Sequence, residues 1–92
     1  MDLVVTRDQE RSVFEARLSD QVVGVINFRV RDETMLVTHT GTVPAWRGRG
    51  IAAQLTRFAL DDARARGWKV VPICPYTAAF VDQHADYADL LA

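Results

Sequence analysis

Arg47-Gly48-Arg49-Gly50-Ile51-Ala52 joins two halves of the chain that obey different periodicities, and its reading decides the fold. Before it, apolar and polar residues alternate in steps of two; after it, apolar residues recur at three and four. A glycine-rich turn between a strand and a helix leaves the first backbone N–H groups of the helix without intrahelical partners. Those donors, together with the helix dipole, favour an anion. Gly48 and Gly50 remove the Cβ atoms that would hold a phosphate away, and Arg47 and Arg49 add charge-assisted donors. The segment has neither the Gly-Lys-Ser/Thr ending of a P-loop nor the third glycine of a dinucleotide-binding turn. A pyrophosphate is the ligand that suits it, and a plain turn that starts a helix is the alternative.

Upstream, residues 12–18 alternate Phe14, Ala16 and Leu18 with Val13, Glu15 and Arg17, the period of a half-buried strand. Ser19-Asp20-Gln21 supplies turn chemistry. Residues 22–31 alternate again, with Ile26, Phe28 and Val30 on one face, before a second turn at Asp32-Glu33. Residues 34–43 complete an antiparallel meander, and residues 3–7 read as a short edge strand. Downstream, Ile51, Leu55, Phe58, Ala59 and Ala63 form one helical stripe, predicting a helix from about Gly50 to Arg66 that Gly67 stops in a left-handed conformation. Arg57 with Asp61, and Asp62 with Arg66, stand four apart and mark its solvent side. Residues 68–73 form an apolar run interrupted by Lys69, a buried strand reached by a helical crossover and therefore parallel to its neighbour. A short helix is expected over 77–83 and another turn or two over 86–91. The fold class is mixed α and β: an antiparallel N-terminal meander, then β-α-β, then a short C-terminal helix.

With 92 residues, a net charge of −1 and 49 % hydrophobic content, the chain is expected to be one domain over residues 1–92 with a small core. Interleaved acids and bases argue against a disordered tail or a basic nucleic-acid arm. No apolar run approaches the ~20 residues of a membrane span, and Met1-Asp2-Leu3 opens without a basic and apolar leader. The single cysteine, Cys74, has no disulfide partner and no metal-ligand spacing, so a reducing cytoplasm and no metal are expected.

Arg47-x-x-Gly50-x-Ala52 resembles the Gln/Arg-x-x-Gly-x-Gly/Ala motif of the GNAT superfamily of acetyl-CoA-dependent N-acetyltransferases, in the same strand–loop–helix setting. The flanking residues extend the resemblance: Val43-Pro44, Leu60-Asp61-Asp62-Ala63-Arg64, Val71-Pro72-Ile73-Cys74-Pro75-Tyr76, then His84, Tyr87 and Asp89-Leu90. Together they are similar to the minimal branch of that superfamily, very short chains with a Cys-Pro-Tyr or Cys-Pro-Phe motif after the last core strand. The resemblance spans roughly residues 23–92. It implies a mixed sheet whose fourth and fifth strands splay apart to admit a pantetheine arm, with acetyl-CoA as acyl donor and an amine as acceptor. It further implies that residues 47–52 hold the pyrophosphate and that backbone groups near Thr42 and Val43 hold the pantetheine. The alternative is a non-catalytic acyl-CoA-binding or interaction module, because the two helices that wall the acceptor site in larger relatives are missing. Nucleic-acid binding through Arg47, Arg49, Arg57, Arg64 and Arg66 is electrostatically poor beside Asp61 and Asp62.

Three side chains are candidates for the chemistry. Cys74 falls where the resemblance puts the thioester, as a nucleophile or as a small buried packing residue. Tyr76 could protonate the departing thiolate, or pack its ring and wet its hydroxyl. His39 could deprotonate the amine, or simply hydrogen-bond on its strand. The branch usually shows His-Thr-x-Val-Pro, whereas this chain reads His39-Thr40-Gly41-Thr42-Val43-Pro44, one residue longer. A bulge at Gly41 would absorb the extra residue and keep His39 on its usual face. His84 reads as a helix C-terminal residue that complements the dipole, although with Asp86 and Cys74 it superficially offers a Cys–His–Asp set. Trp46 and Trp68 are expected as core or lid aromatics.

Overall fold

Turn chemistry builds the sheet. In the computed structural model, which describes residues 3–92, β1 (Val4–Asp8), β2 (Val13–Leu18), β3 (Gln21–Arg31) and β4 (Thr34–Thr42) form a meander. Asp32 and Glu33 both take positive φ, 50° and 60°, giving the two-residue turn whose twist matches its flanking strands. Helix α1 (Ile51–Ala65) then crosses over to β5 (Lys69–Pro72), which lies parallel to β4 at the end of the order β1-β2-β3-β4-β5. Helix α2 (Pro75–Gln83) and a 3-10 segment (Ala85–Leu90) follow, and the chain closes with Leu91 bridging Val70. This is the expected mixed sheet. Residues 1–2, part of the expected single domain, lie outside the described residues.

One face of the sheet is covered. A Cβ on Gly24 would approach Ile51 Cγ2 at 3.1 Å and Leu55 Cδ2 at 3.5 Å, so Gly24 faces α1. By alternation Ile26 and Phe28 face the same way, as does Thr40, the cross-strand partner of Ile26. Thr40 meets Thr77 of α2, so both helices lie on this face. Phe14, Ile26, Met35 and Val37 pack there with Ile51, Leu55, Ala59 and Leu60 in one core.

The buried arc of α1 differs from the expected stripe. Phe58 is 39 % exposed, resting edge-on against Phe14 at 5.9 Å, while Thr56 and Leu60 are buried. The cause is a second covering layer: α2 and the C-terminal segment close over one flank of α1 and rotate its buried centre away from Phe58. Asp62 pairs with Arg66 at 2.9 Å as expected, and also faces Arg7 of β1 at 3.5 Å. The expected Arg57–Asp61 pair does not form. Asp61 accepts the Tyr87 hydroxyl at 3.0 Å, and Arg57 lies over the Phe80 ring at 5.4 Å. Arg64 adds a two-pronged contact to Asp89, at 2.7 and 3.1 Å, that ties the C-terminal segment to α1.

Candidate functional site

The strand pair β4–β5 separates early. Pairing runs from Thr34–Lys69 only to Val37–Pro72, after which the Cys74 N–H reaches Val37 O at 2.9 Å and the chain turns into α2. From Thr38 onward β4 pairs with β3 alone, leaving a gap where β5 departs. A cavity of about 450 Å³ opens there, walled by Thr40, Gly41 and Thr42 of β4, by the 46–50 loop, by the first turn of α1 and by Tyr76.

The loop owes its shape to two glycines. Gly48 and Gly50 have φ of 79° and 78°, a region that costs an L-residue about 1–2 kcal/mol. An added Cβ would meet nothing within 4 Å at either position, so backbone conformation rather than crowding demands glycine. Gly50 is the N-cap of α1 and, lacking a side chain, caps nothing. The first intrahelical bond is Gln54 N–H to Gly50 O at 3.1 Å, so the N–H groups of Ile51, Ala52 and Ala53 have no intrahelical acceptor. No acidic residue sits in that first turn. The Arg49 guanidinium stacks over Trp46 at 4.9 Å, which makes Trp46 a wall of the cavity, while Arg47 lines the cavity directly.

Of the residues expected to hold the ligand, Thr42, Arg47, Gly48, Gly50, Ile51 and Ala52 line this one cavity. Arg49 braces it from behind through Trp46, and Val43 lies at a hollow on the other side of β4. Tyr76 is on the cavity wall, 41 % exposed, and partial burial holds its phenol above the usual range, so it stays protonated.

Cys74 is the N-cap of α2, 6 % exposed. Burial pushes its thiol upward, but the Thr77 N–H, the Thr40 hydroxyl, the Tyr76 N–H and the Thr77 hydroxyl outweigh it and hold the thiol below its ordinary value. The hydroxyls of Thr40 and Thr77 are 3.4 Å apart. Sequence reading missed this threonine pair. Alternation from Thr42 would have put Thr40 on the same face, but nothing local pointed to Thr77.

His39 stands apart from Cys74 and Tyr76. The extra residue of β4 is absorbed at Thr38, whose hydroxyl reaches back to Asn27 O at 3.2 Å, and not at Gly41, which pairs in register with Val25. His39 therefore faces the uncovered side of the sheet, opposite to Thr40. Gly41 makes room for it, since a Cβ there would come within 3.0 Å of His39 Nε2. His84 ends α2, its Nδ1 2.7 Å from Phe80 O and its ring stacked on Phe80 at 4.0 Å. A nine-residue helix separates it from Cys74 by about 13 Å, so no Cys–His–Asp set forms. Among the described residues no group of three or more His, Cys, Asp or Glu could hold a metal ion, and no helix is long and apolar enough to cross a membrane.

The family model of the GCN5-related N-acetyl-transferases matches residues 13–90. The chain belongs to that family. Solved structures agree with the GNAT fold. A GCN5-like protein from Staphylococcus aureus, solved by NMR, superposes with a TM-score of 0.76 at 18 % identity, over 98 % of this chain and 88 % of its own. The ribosomal-protein-S18-alanine N-acetyltransferase of Escherichia coli superposes with a TM-score of 0.67 at 16 % identity, over 83 % of this chain and 53 % of its own. An IAA acetyltransferase from Bacillus cereus reaches a TM-score of 0.60 at 22 % identity, over 80 % and 54 %. This chain thus spans about half the length of these two acetyltransferases. No curated protein matches the sequence. In this GNAT chain the cavity is built by the gap in the sheet and by the start of α1, the two features that the sequence motif marks.

Proposed function

We propose that the chain moves an acetyl group from acetyl-CoA to an amine. One observation carries the reading: the gap left by β5 opens onto a helix start with free backbone donors, left-handed glycines and no side-chain cap. Coenzyme A matches it, with an anionic pyrophosphate on a slender polar arm. In this reading the N–H groups of Ile51 and Ala52, approached through Gly48 and Gly50, hold the pyrophosphate. Arg47 is the nearer side-chain donor and Arg49 the farther. Backbone groups of Thr42 hold the pantetheine arm, since the N–H and C=O of Val43 are engaged by Val23 O at 2.9 Å and by the Trp46 N–H at 2.8 Å; the arm brings an activated acyl carbon to Tyr76, Thr40 and Cys74.

Direct transfer follows from these roles. The amine nitrogen, entering the gap from the uncovered face, bonds to the acyl carbon while the carbon–sulfur bond breaks; Tyr76 gives its phenolic proton to the departing sulfur from the helical side, and His39 takes the proton lost by the amine on the uncovered side. Tyr76 is suited to this because it stays protonated. The lowered thiol of Cys74 supports a second route, in which its sulfur takes the acetyl group, coenzyme A leaves, and the amine then attacks the acetyl-cysteine. The cellular setting we infer is the cytoplasm, where an unpaired cysteine stays reduced.

Calorimetric titration with acetyl-CoA and with free coenzyme A tests the reading. Similar affinities for both are expected, because the contacts are to phosphate and pantetheine. Intact mass after incubation near pH 8, compared with Cys74→Ala and Cys74→Ser, separates the two routes: transfer retained in the alanine variant leaves direct attack. Absence of any coenzyme A binding by the folded protein would overturn the assignment.

A further inference from the structure

We infer that the uncovered face of the sheet docks the acceptor as an extended acidic peptide, its acetylated residue beside His39; this rests on the acetyl-transfer reading above. Both helices lie on one face, so Val25, Asn27, Arg29 and Arg31 of β3 and His39 and Gly41 of β4 stand on the other. The charges there are unbalanced. Glu15 is taken by Arg11 and Arg17, at 3.3 and 3.0 Å, and Asp8 faces Arg11 at 3.7 Å. Arg29 and Arg31 are exposed and have no carboxylate within ion-pair distance among the described residues, and neither Asp32 nor Glu33 in the adjoining turn pairs with them. On the helical side, by contrast, carboxylates and arginines meet: Asp62 faces Arg66 and Arg7, and Asp89 faces Arg64.

Shape and spacing define the partner. Hollows of about 410 and 570 Å³ adjoin the Asn27–His39 pair, the first lined by His39 and Gly41 and the second by Arg11, Asn27 and Arg29. Arg29 and Arg31 lie two and four residues along β3 from Asn27, and an extended peptide advances about 3.3 Å per residue. Carboxylates two to four residues from the acetylated position would therefore meet the two unpaired arginines. A polyamine or a lysine-rich segment is repelled by the same charges. A single-stranded nucleic acid is disfavoured, because the face exposes no Trp, Tyr or Phe for base stacking and retains Asp8 and Glu15.

The test uses fluorescent peptides of equal length, each with one central lysine, bearing glutamates, serines or arginines two to four residues to one side, and a single-stranded oligonucleotide. Binding to the full chain saturated with coenzyme A is measured at low and high salt, and acetylation from acetyl-CoA is followed by mass. The acidic peptide is expected to bind at least tenfold tighter than the basic one, with the difference shrinking in salt. In Arg29→Glu/Arg31→Glu the order of the peptides reverses, and in Arg29→Gln/Arg31→Gln the preference disappears, while coenzyme A affinity stays at the parent value in both. Equal binding of acidic and basic peptides, an order unchanged by the charge swap, no peptide binding, or tighter binding of the oligonucleotide would each overturn the proposal. Acidic-peptide binding without acetylation would uphold the docking face and count against the transfer reading alone.

Discussion

The two ends of α1 use the same device to opposite effect. Each is bounded by a glycine in the left-handed region, Gly50 with φ of 78° and Gly67 with φ of 72°. At the C-terminal end the glycine closes the helix: the Gly67 N–H bonds Arg64 O at 3.1 Å and the Trp68 N–H bonds Ala63 O at 2.9 Å, the paired contacts of a Schellman motif. At the N-terminal end the glycine leaves Ile51, Ala52 and Ala53 without an acceptor, facing a cavity. Unmade hydrogen bonds at a helix start cost little while water fills them, and they become binding energy when an anion replaces the water. The difference separates a glycine that serves stability from one that serves a ligand.

Exchanging these glycines should separate the two roles most sharply. Gly50→Val is expected to weaken coenzyme A and acetyl-CoA by at least tenfold, as a β-branched residue disfavours the left-handed loop and its side chain enters the phosphate space. Gly67→Ala should leave both affinities unchanged and lower the stability by about 1 kcal/mol, a fall in Tm of roughly 4–8 °C for a domain of this size. Equal loss of affinity in the two variants, measured by calorimetry on folded protein, would erase the distinction.

A fixed carboxylate at the open end should move stability and binding in opposite directions. Ala53→Glu puts a negative charge in the first turn, where it is expected to stabilise the helix by about 0.3–1 kcal/mol while weakening coenzyme A about tenfold. Thermal melting and calorimetry on the same preparation check both signs. A smaller difference is expected between the two arginines. Arg47→Ala should weaken coenzyme A several-fold, and Arg49→Ala less, because Arg47 lines the cavity whereas Arg49 is held against Trp46. The reverse order would put the phosphate on the far side of the loop.

Most of the frame was legible because it depends on local patterns. Period-two alternation in residues 12–18 and 22–31, the helical stripe after Ile51 and the stop at Gly67 each lie within a few residues of their cause. The misreadings are all long-range. Phe58 was expected in the core, but the closure of α2 and the C-terminal segment buries Leu60 instead. Asp61 left its neighbour Arg57 for Tyr87, a partner 26 residues away. The bulge falls at Thr38 rather than Gly41, because cross-strand pairing with β3 selects the site and the glycine is used to admit the His39 ring. The cavity loop was readable from its glycines, whereas the threonines around Cys74 come together only when α2 docks on β4.

The smallest effect concerns the start of α2, where Cys74 is the N-cap residue but its side chain makes no capping hydrogen bond. Because the Cys74 thiol is held below its ordinary value, its alkylation by iodoacetamide should reach half-maximal rate at a lower pH than that of an unstructured cysteine. Thr40→Val should shift the midpoint upward by removing one of the hydroxyls that favour the thiolate. A profile matching the free thiol in both proteins would show that this helix start does not tune the sulfur.

Backbone amide NMR during a coenzyme A titration shows whether the open end of α1 receives the pyrophosphate. The largest and saturating shifts are expected on the amides of Gly48, Gly50, Ile51 and Ala52, with Gly67 and Trp68 unmoved. Saturable binding that leaves residues 48–52 unperturbed, with the shifts concentrated elsewhere, would contradict it.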